Sequence, residues 1–192
     1  MVQELLPGSP PAAISRGTVE SMLEVSQRCH GLLADQAGLP APSLYLREDG
    51  PGFCLHEPLA RYSPRTARLL AAIEETGAQL PGRLAGNDLV HFDFHPENVL
   101  VDAAGVVTGV VDWDGAGRSN AALDLYTLRF DLARRAPELG RRVAVAGRET
   151  RPDDVVAACW AHLSLRLVDW SIRHLTPGHV STWLAIAEEL RP

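Results

Sequence analysis

Polar side chains able to bind metals, carry protons or orient phosphates gather in the stretch from residue 90 to 114. They form two groups, the first being His91, Asp93, His95 and Asn98 and the second Asp112 and Asp114. Imidazole and carboxylate groups act as metal ligands and as acids or bases, and carboxylate and amide oxygens suit hard cations. This stretch is therefore the first candidate for a functional site.

The spacing of the first group permits three interpretations. His91, Asp93 and His95 alternate along the chain, so in an extended segment their side chains share one face. One interpretation is a metal-dependent hydrolase, since imidazole and carboxylate ligands suit zinc or iron. Another is phosphoryl transfer, because Asp93 followed five residues later by Asn98 matches the catalytic-loop pattern of kinases. The third is that these groups only hydrogen-bond a turn.

A predicted hairpin favours phosphoryl transfer. Two Val-rich segments, 98–101 and 106–111, flank Asp-Ala-Ala-Gly, which predicts two strands joined by a short turn. The hairpin would return Asp112 to the loop that carries Asn98. Phosphoryl transfer needs a base together with amide and carboxylate oxygens that hold Mg²⁺ against the nucleotide phosphates. A hydrolytic metal site needs neither the Asn nor the return strand.

The elements that must position these groups are mostly helical. Capping residues and apolar periodicity predict helices from Thr18 to about Leu33, from Ser63-Pro64 to Pro81, and near 121–135, 153–174 and 178–190. Residues 39–62 are rich in Pro and Gly and are expected to be irregular, with a short strand at Ser43–Leu46. The predicted fold class is α+β, mostly helical, with one functional hairpin.

Composition excludes several other classes of protein. The chain has 192 residues, 46% of them hydrophobic, and fits one domain or one large lobe. A net charge of −6 argues against a nucleic-acid binder. No uninterrupted apolar run or secretory signal stands out, and the three cysteines form no CxxC motif. We expect a cytoplasmic protein without a membrane span.

The segment HFDFHPENVLVDAAGVVTGVVDWDGAG, residues 91–117, resembles the catalytic segment of the aminoglycoside phosphotransferase family. This family is related to protein kinases and phosphorylates hydroxyl groups of small molecules. The resemblance implies a kinase-like C-terminal lobe, with ATP as co-substrate and Mg²⁺ as cofactor. It implies these roles: Asp93 as the catalytic base, His91 and His95 as members of the catalytic loop, Asn98 and Asp112 as Mg²⁺ ligands, and Asp124 as structural support of the loop.

By this resemblance residues 1–192 form a single C-terminal lobe, in which residues 1–8 are hinge-like and 90–114 hold the catalytic loop and metal-binding hairpin. The N-terminal β lobe is expected to be missing, and the chain has no Lys to pair with the nucleotide phosphates. We therefore expect a weak or inactive phosphotransferase as an isolated chain, working with a separate N-terminal lobe or a homodimer partner. The alternatives are a degenerate kinase-like binding module and a metal-dependent hydrolase that uses His91, Asp93 and His95.

Overall fold

The computed structural model describes residues 6–148 and 152–192, and within them helices make up most of the fold. In chain order the elements are α1 (Arg16–Arg28), α2 (His56–Tyr62), α3 (Pro64–Gln79), β1 (Asp88–Val90), β2 (Val99–Val101), β3 (Val107–Val110), β4 (Gly117–Ser119), α4 (Ala122–Arg135), α5 (Pro137–Arg148), α6 (Asp153–His174) and α7 (Pro177–Glu189). The expected mostly helical α+β fold is confirmed, and it contains the predicted hairpin.

The chain divides into two units. The first consists of Met1–Pro40 and Ala85–Gly147, and the second of Ala41–Leu84 and Arg148–Pro192. All residues of the candidate site belong to the first unit, and each unit is described here by itself. The assignment of 1–192 to a single lobe stays a prediction.

The predicted hairpin is the antiparallel pair β2–β3 of the first unit, with Val99 opposite Val110. The carboxylate of Asp102 begins the turn by accepting hydrogen bonds from the backbone N–H groups of Ala104 (2.9 Å) and Val106 (3.0 Å). The inward side chains of β2 pack into a core that α1 and α4 share. That core contains Val19, Met22, Phe94, Val99, Val101, Leu128, Leu132 and Val143. Burial of this apolar surface fixes the hairpin against α4.

Residues 1–5 of the hinge-like segment lie outside the described residues. The part that is described runs along the hairpin, where Ser9 and Val101 exchange backbone hydrogen bonds of 3.2 and 2.9 Å. Gly8 has a φ of 109°, and a Cβ there would lie 2.6 Å from the hydroxyl oxygen of Thr108. Only glycine fits this close approach.

Several predicted boundaries are wrong. Helix α1 begins at Arg16, because the side chain of Ser15 caps it by accepting from the Thr18 N–H at 3.0 Å. It ends at Arg28 rather than near Leu33. The 39–62 region contains helix α2, which was not expected, and Ser43 forms only an isolated bridge with Arg83 instead of a strand.

Two further elements were not predicted. Strands β1 and β4 form a second antiparallel pair, so the small-residue segment after Asp114 is partly a strand rather than wholly a loop. Helix α5 follows α4 directly after Ala136. The β1–β4 pair matters most for the site, because it fixes the backbone immediately before His91.

In the second unit, α3 begins as predicted. Ser63 caps it, Pro64 occupies the first turn, and Thr66 completes a capping box. A fully buried carboxylate then joins two segments of this unit. Asp169 on α6 accepts from the Leu55 N–H at 2.8 Å and from two nitrogens of Arg173 at 2.7 and 2.9 Å. A buried carboxylate that accepts three hydrogen bonds is tolerated in a folded protein, whereas an unpaired buried charge destabilises it.

Helix α6 is long and apolar enough to cross a membrane, with a mean hydropathy of 1.2 over its most apolar window. However, 61% of that window is buried inside the protein. Such burial is typical of the core helix of a folded unit, so length and composition alone are weak grounds for a membrane span.

Replacing Asp169 with Ala is expected to lower the free energy of unfolding by about 3 kcal/mol, because it leaves the Arg173 charge and the Leu55 N–H without their partner. Denaturant unfolding followed by circular dichroism measures this change. Glu188→Ala is the matched control: it removes the half-exposed pair with Arg65 and should cost less than about 1 kcal/mol. Equal losses in the two variants would contradict the structural role of Asp169.

Candidate phosphotransfer site

His91 joins the loop to the returning hairpin strand. Its side chain is 1% exposed, and Nε2 lies 2.8 Å from the carbonyl oxygen of Val111. Its Nδ1 accepts from the Asp93 N–H at 3.3 Å, so the hydrogen is on Nε2, which donates to Val111. Trp113 lies edge-on against this imidazole, with ring centroids 4.7 Å apart.

The next residue, Phe92, has left-handed backbone geometry. Its φ is 66°, a conformation that costs a non-glycine residue about 1–2 kcal/mol. The two oxygens of Asp124 hold this turn by accepting from the N–H groups of His91 (2.8 Å) and Phe92 (2.9 Å). Asp124 therefore stabilises the backbone that aims Asp93 out of the turn.

Burial raises the pKa of Asp124 to about 6, although the hydrogen bonds from His91 and Phe92 favour the ionised form. The residue is 5% exposed and lies in the first turn of α4. There the positive end of the helix dipole also favours a carboxylate.

Asp93, His95 and Asn98 meet in one turn. Asp93 Oδ2 lies 3.4 Å from His95 Nε2 and 3.3 Å from Asn98 Nδ2. The same Asn98 nitrogen donates to the backbone carbonyl of Asp93 at 2.9 Å. With its nitrogen used in this way, Asn98 has its amide oxygen left to offer a cation. The Asp93 side chain is 43% exposed, so a substrate hydroxyl can approach it.

His95 has a pKa above its ordinary value. Burial of the ring opposes protonation, but the hydrogen bond and negative charge of Asp93 outweigh it, together with the charges of Asp131 and Glu97. Its Nδ1 accepts from the Glu97 N–H at 3.3 Å. His95 thus caps the short 3-10 turn formed by Pro96–Asn98.

The hairpin brings Asp112 next to Asn98. The Val111 N–H donates to the Asn98 carbonyl at 2.9 Å, which makes Asp112 the first residue beyond the last cross-strand bond. Asp112 is exposed and has left-handed geometry, with a φ of 64°. The neighbouring Trp113 is 38% exposed, and its indole N–H donates to the Val110 carbonyl at 2.8 Å.

The donors at this turn fit Mg²⁺. Asn98 and Asp112 offer an amide and a carboxylate oxygen, and Mg²⁺ in phosphotransfer sites takes few protein ligands, completed by water and phosphates. In the part of the chain that the structure describes, no group of three or more His, Cys, Asp or Glu side chains is arranged to hold a metal.

The hydrolase alternative is not favoured by the geometry. It requires His91 as a ligand, yet both nitrogens of this ring already bond the backbone, one to Val111 and the other to Asp93. Ligation would break one of these bonds inside a buried site, at a cost of about 1–3 kcal/mol.

Three charged residues beside the turn, Glu97, Asp131 and Arg135, were not predicted from the sequence. Arg135 donates from Nε to Asp131 Oδ1 at 2.8 Å and from Nη2 to Glu97 Oε1. The hydrogen bond from Arg135 lowers the pKa of Glu97. Asp124, Asp131 and Arg135 follow one another at spacings of seven and four along α4, which places them on one face. This helical spacing is the feature of the sequence from which Asp131 and Arg135 could have been predicted to lie on the same face as Asp124.

The fold is of the kinase-like class: mostly helical, with an Asp–Asn turn and a hairpin that returns a second Asp. The chain belongs to the phosphotransferase enzyme family, whose model matches residues 1–163. The predicted family is confirmed. No curated protein sequence matches the chain.

Solved structures with the same fold are distant in sequence. A thermostable mutant of the aminoglycoside phosphotransferase APH(4)-Ia, in ternary complex with AMP-PNP and hygromycin B, is 16% identical with a TM-score of 0.58; the match covers 91% of this chain and 63% of that one. Macrolide 2'-phosphotransferase type I is 15% identical with a TM-score of 0.53, covering 98% and 68%. The chain thus spans about 63% of the length of the first, and at these identities the likeness shows the fold alone.

Asp124→Asn is expected to remove a pH dependence of stability. The carboxyl has a pKa of about 6 when folded, above the ordinary value of 3.8 that it has when exposed in the unfolded chain, so the folded chain gains stability as pH falls from 6 towards 4 and loses it as pH rises. Two pKa units correspond to about 3 kcal/mol. The unfolding free energy of the wild type minus that of the variant should therefore be larger at pH 4 than at pH 7. Denaturant titrations across this range measure it, and parallel profiles would contradict it.

Proposed function

We propose that this chain provides the catalytic part of an ATP- and Mg²⁺-dependent phosphotransferase that phosphorylates a hydroxyl of a small molecule. The observation that carries the proposal is the turn in which Asp93 Oδ2 and the Asn98 amide lie 3.3 Å apart, beside the returning strand β3, which Asp112 follows two residues after its end. A base and two oxygen ligands at one place are the groups that phosphoryl transfer requires.

In this proposal Asp93 is the base. Its half-exposed carboxylate would orient the acceptor hydroxyl and accept its proton as the hydroxyl oxygen bonds to the γ-phosphorus of ATP and the bond from that phosphorus to the departing ADP oxygen breaks. Asn98 and Asp112 hold Mg²⁺, which when bound neutralises charge on the nucleotide phosphates. His91 keeps the backbone of the loop in place, and His95 holds the Asp93 carboxylate in its orientation.

The substrate class follows from the family and stays broad. The related solved structures include one complexed with hygromycin B and one of a macrolide 2'-phosphotransferase. An aminoglycoside-like compound or a related hydroxyl-bearing metabolite is the substrate we propose. The protein would act in the cytoplasm, where ATP is available, and the free thiols of Cys29, Cys54 and Cys159 are in keeping with a reducing compartment.

The isolated chain is proposed to be slow. It contains no Lys, so any Lys at the nucleotide phosphates must come from residues outside these 192, such as a separate N-terminal lobe. A homodimer partner of the same sequence could add other contacts but no Lys. Loss of one preorganised charge at a transferring phosphoryl group costs about a hundredfold or more in rate. Nucleotide binding is therefore a better first test than turnover.

Titration calorimetry should detect ATP binding at millimolar nucleotide that requires Mg²⁺ and disappears with EDTA. We expect Asp112→Asn and Asn98→Ala each to weaken Mg²⁺-dependent binding about tenfold or more, because the first replaces a charged carboxylate ligand with a neutral amide and the second removes an oxygen ligand. Asp93→Asn should bind ATP like the wild type, since the base does not hold the metal.

Asp114→Asn is the matched control for Asp112→Asn, because it removes a second exposed carboxylate from the same short stretch. It should leave ATP affinity within about twofold of the wild type. Absence of binding heat in the wild type, or equal losses at positions 112 and 114, would overturn the proposed site.

A further inference from the structure

The short turn that carries Asn98 has few bonds of its own. Pro96–Asn98 is a single 3-10 turn, held internally by the Asn98 N–H to the His95 carbonyl (3.0 Å) and the Glu97 N–H to His95 Nδ1 (3.3 Å). Such turns have poorer hydrogen-bond geometry than an α-helix. Asn98 is also held by its amide N–H bonds to Asp93 and by the Val111 N–H, whereas the Glu97 side chain in the middle of the turn is anchored from outside the turn.

The external anchor is Arg135 in the last turn of α4. Its guanidinium connects two carboxylates, Asp131 on its own helix and Glu97 in the middle of the turn. The side chains of Arg135 and Asp131 are only 28% and 12% exposed. The bond to Asp131 is therefore little screened and fixes the guanidinium, whereas Glu97 is 63% exposed and is held by the direction of the fork.

Helix α4 thus holds the catalytic segment at two points. Asp124 in its first turn binds the backbone before Asp93, and Arg135, eleven residues later, binds the turn after it. Eleven residues are about three turns and roughly 16 Å of helix, so both contacts fall on one face. The backbone before Asp93 and the turn after it are therefore both fixed to one rigid element.

We propose that Arg135 is a positioning residue of the phosphotransfer site, which acts through Glu97 to fix the turn and so sets the cation affinity of Asn98. This inference rests on the proposed function, because it assigns Asn98 to the cation. Arg135 itself touches neither the reacting atoms nor the metal. Its effect should appear as a loss of cation affinity, beyond any change in stability.

The test uses the full chain with Mn²⁺ as the probe for the Mg²⁺ site, in the presence of ATP. Free Mn²⁺ is measured by electron paramagnetic resonance. We expect Arg135→Gln and Glu97→Gln each to weaken Mn²⁺ binding about tenfold. The double variant should be no weaker than either single variant, because both break the same link. Arg135→Lys should recover part of the affinity, since the charge returns without the fork.

Arg141→Gln is the control, because it breaks an exposed pair with Glu138 on α5 and should leave Mn²⁺ affinity unchanged. Thermal unfolding checks that each variant folds, and Glu97→Gln, whose side chain is 63% exposed, carries the test if Arg135→Gln does not fold. Wild-type affinity in Arg135→Gln or Glu97→Gln, or additive losses in the double variant, would overturn the inference alone. Absence of Mn²⁺ binding in the wild type would overturn the proposed function and the inference with it.

Discussion

Two hydrogen bonds to one buried carboxylate hold the geometry of the site. Asp124 accepts the N–H groups of His91 and Phe92, and this pair stabilises the left-handed backbone at Phe92. Without the bend, Asp93 would continue in the direction of β1 rather than turn towards Asn98. A buried carboxylate, Asp124, and a residue with strained backbone, Phe92, therefore stabilise each other at this turn. Such strain is common at functional sites.

The helix that supplies Asp124 also contacts the catalytic segment at a second point, through Arg135. The three charged residues that face the catalytic segment, Asp124, Asp131 and Arg135, recur along α4 at helical spacing. Insertion of one residue between them would rotate the later contacts by about 100° around the axis. The length of α4 and the register of its residues are therefore constrained by these charged contacts as well as by its apolar packing against Val99 and Met22.

The hairpin and the pairing of Asn98 with the strand before Asp112 were predictable because turn chemistry and β-branched runs are local signals. Tertiary effects were not. Helix α2 forms in a Pro- and Gly-rich region because Leu59 is fully buried, and burial of one residue leaves no periodic pattern. The start of α1 was wrong because Ser15 and Thr18 are both good capping residues, and sequence alone does not choose between them. Three-residue strands such as β1 are too short for an alternating pattern.

Each unit is built from two separate stretches of the sequence. The stretch Ala41–Leu84 interrupts the sequence of the first unit, and the second unit, to which it belongs, also needs Arg148–Pro192. The order in which these stretches are synthesised therefore differs from the order in which the two units can fold. When the ribosome has released residue 147, the site-bearing unit has all of its sequence, whereas α2 and α3 still lack α6, against which they pack. Their apolar faces must stay exposed until the last 45 residues emerge. Nascent chains of intermediate length are thus the species most prone to aggregate or to recruit chaperones.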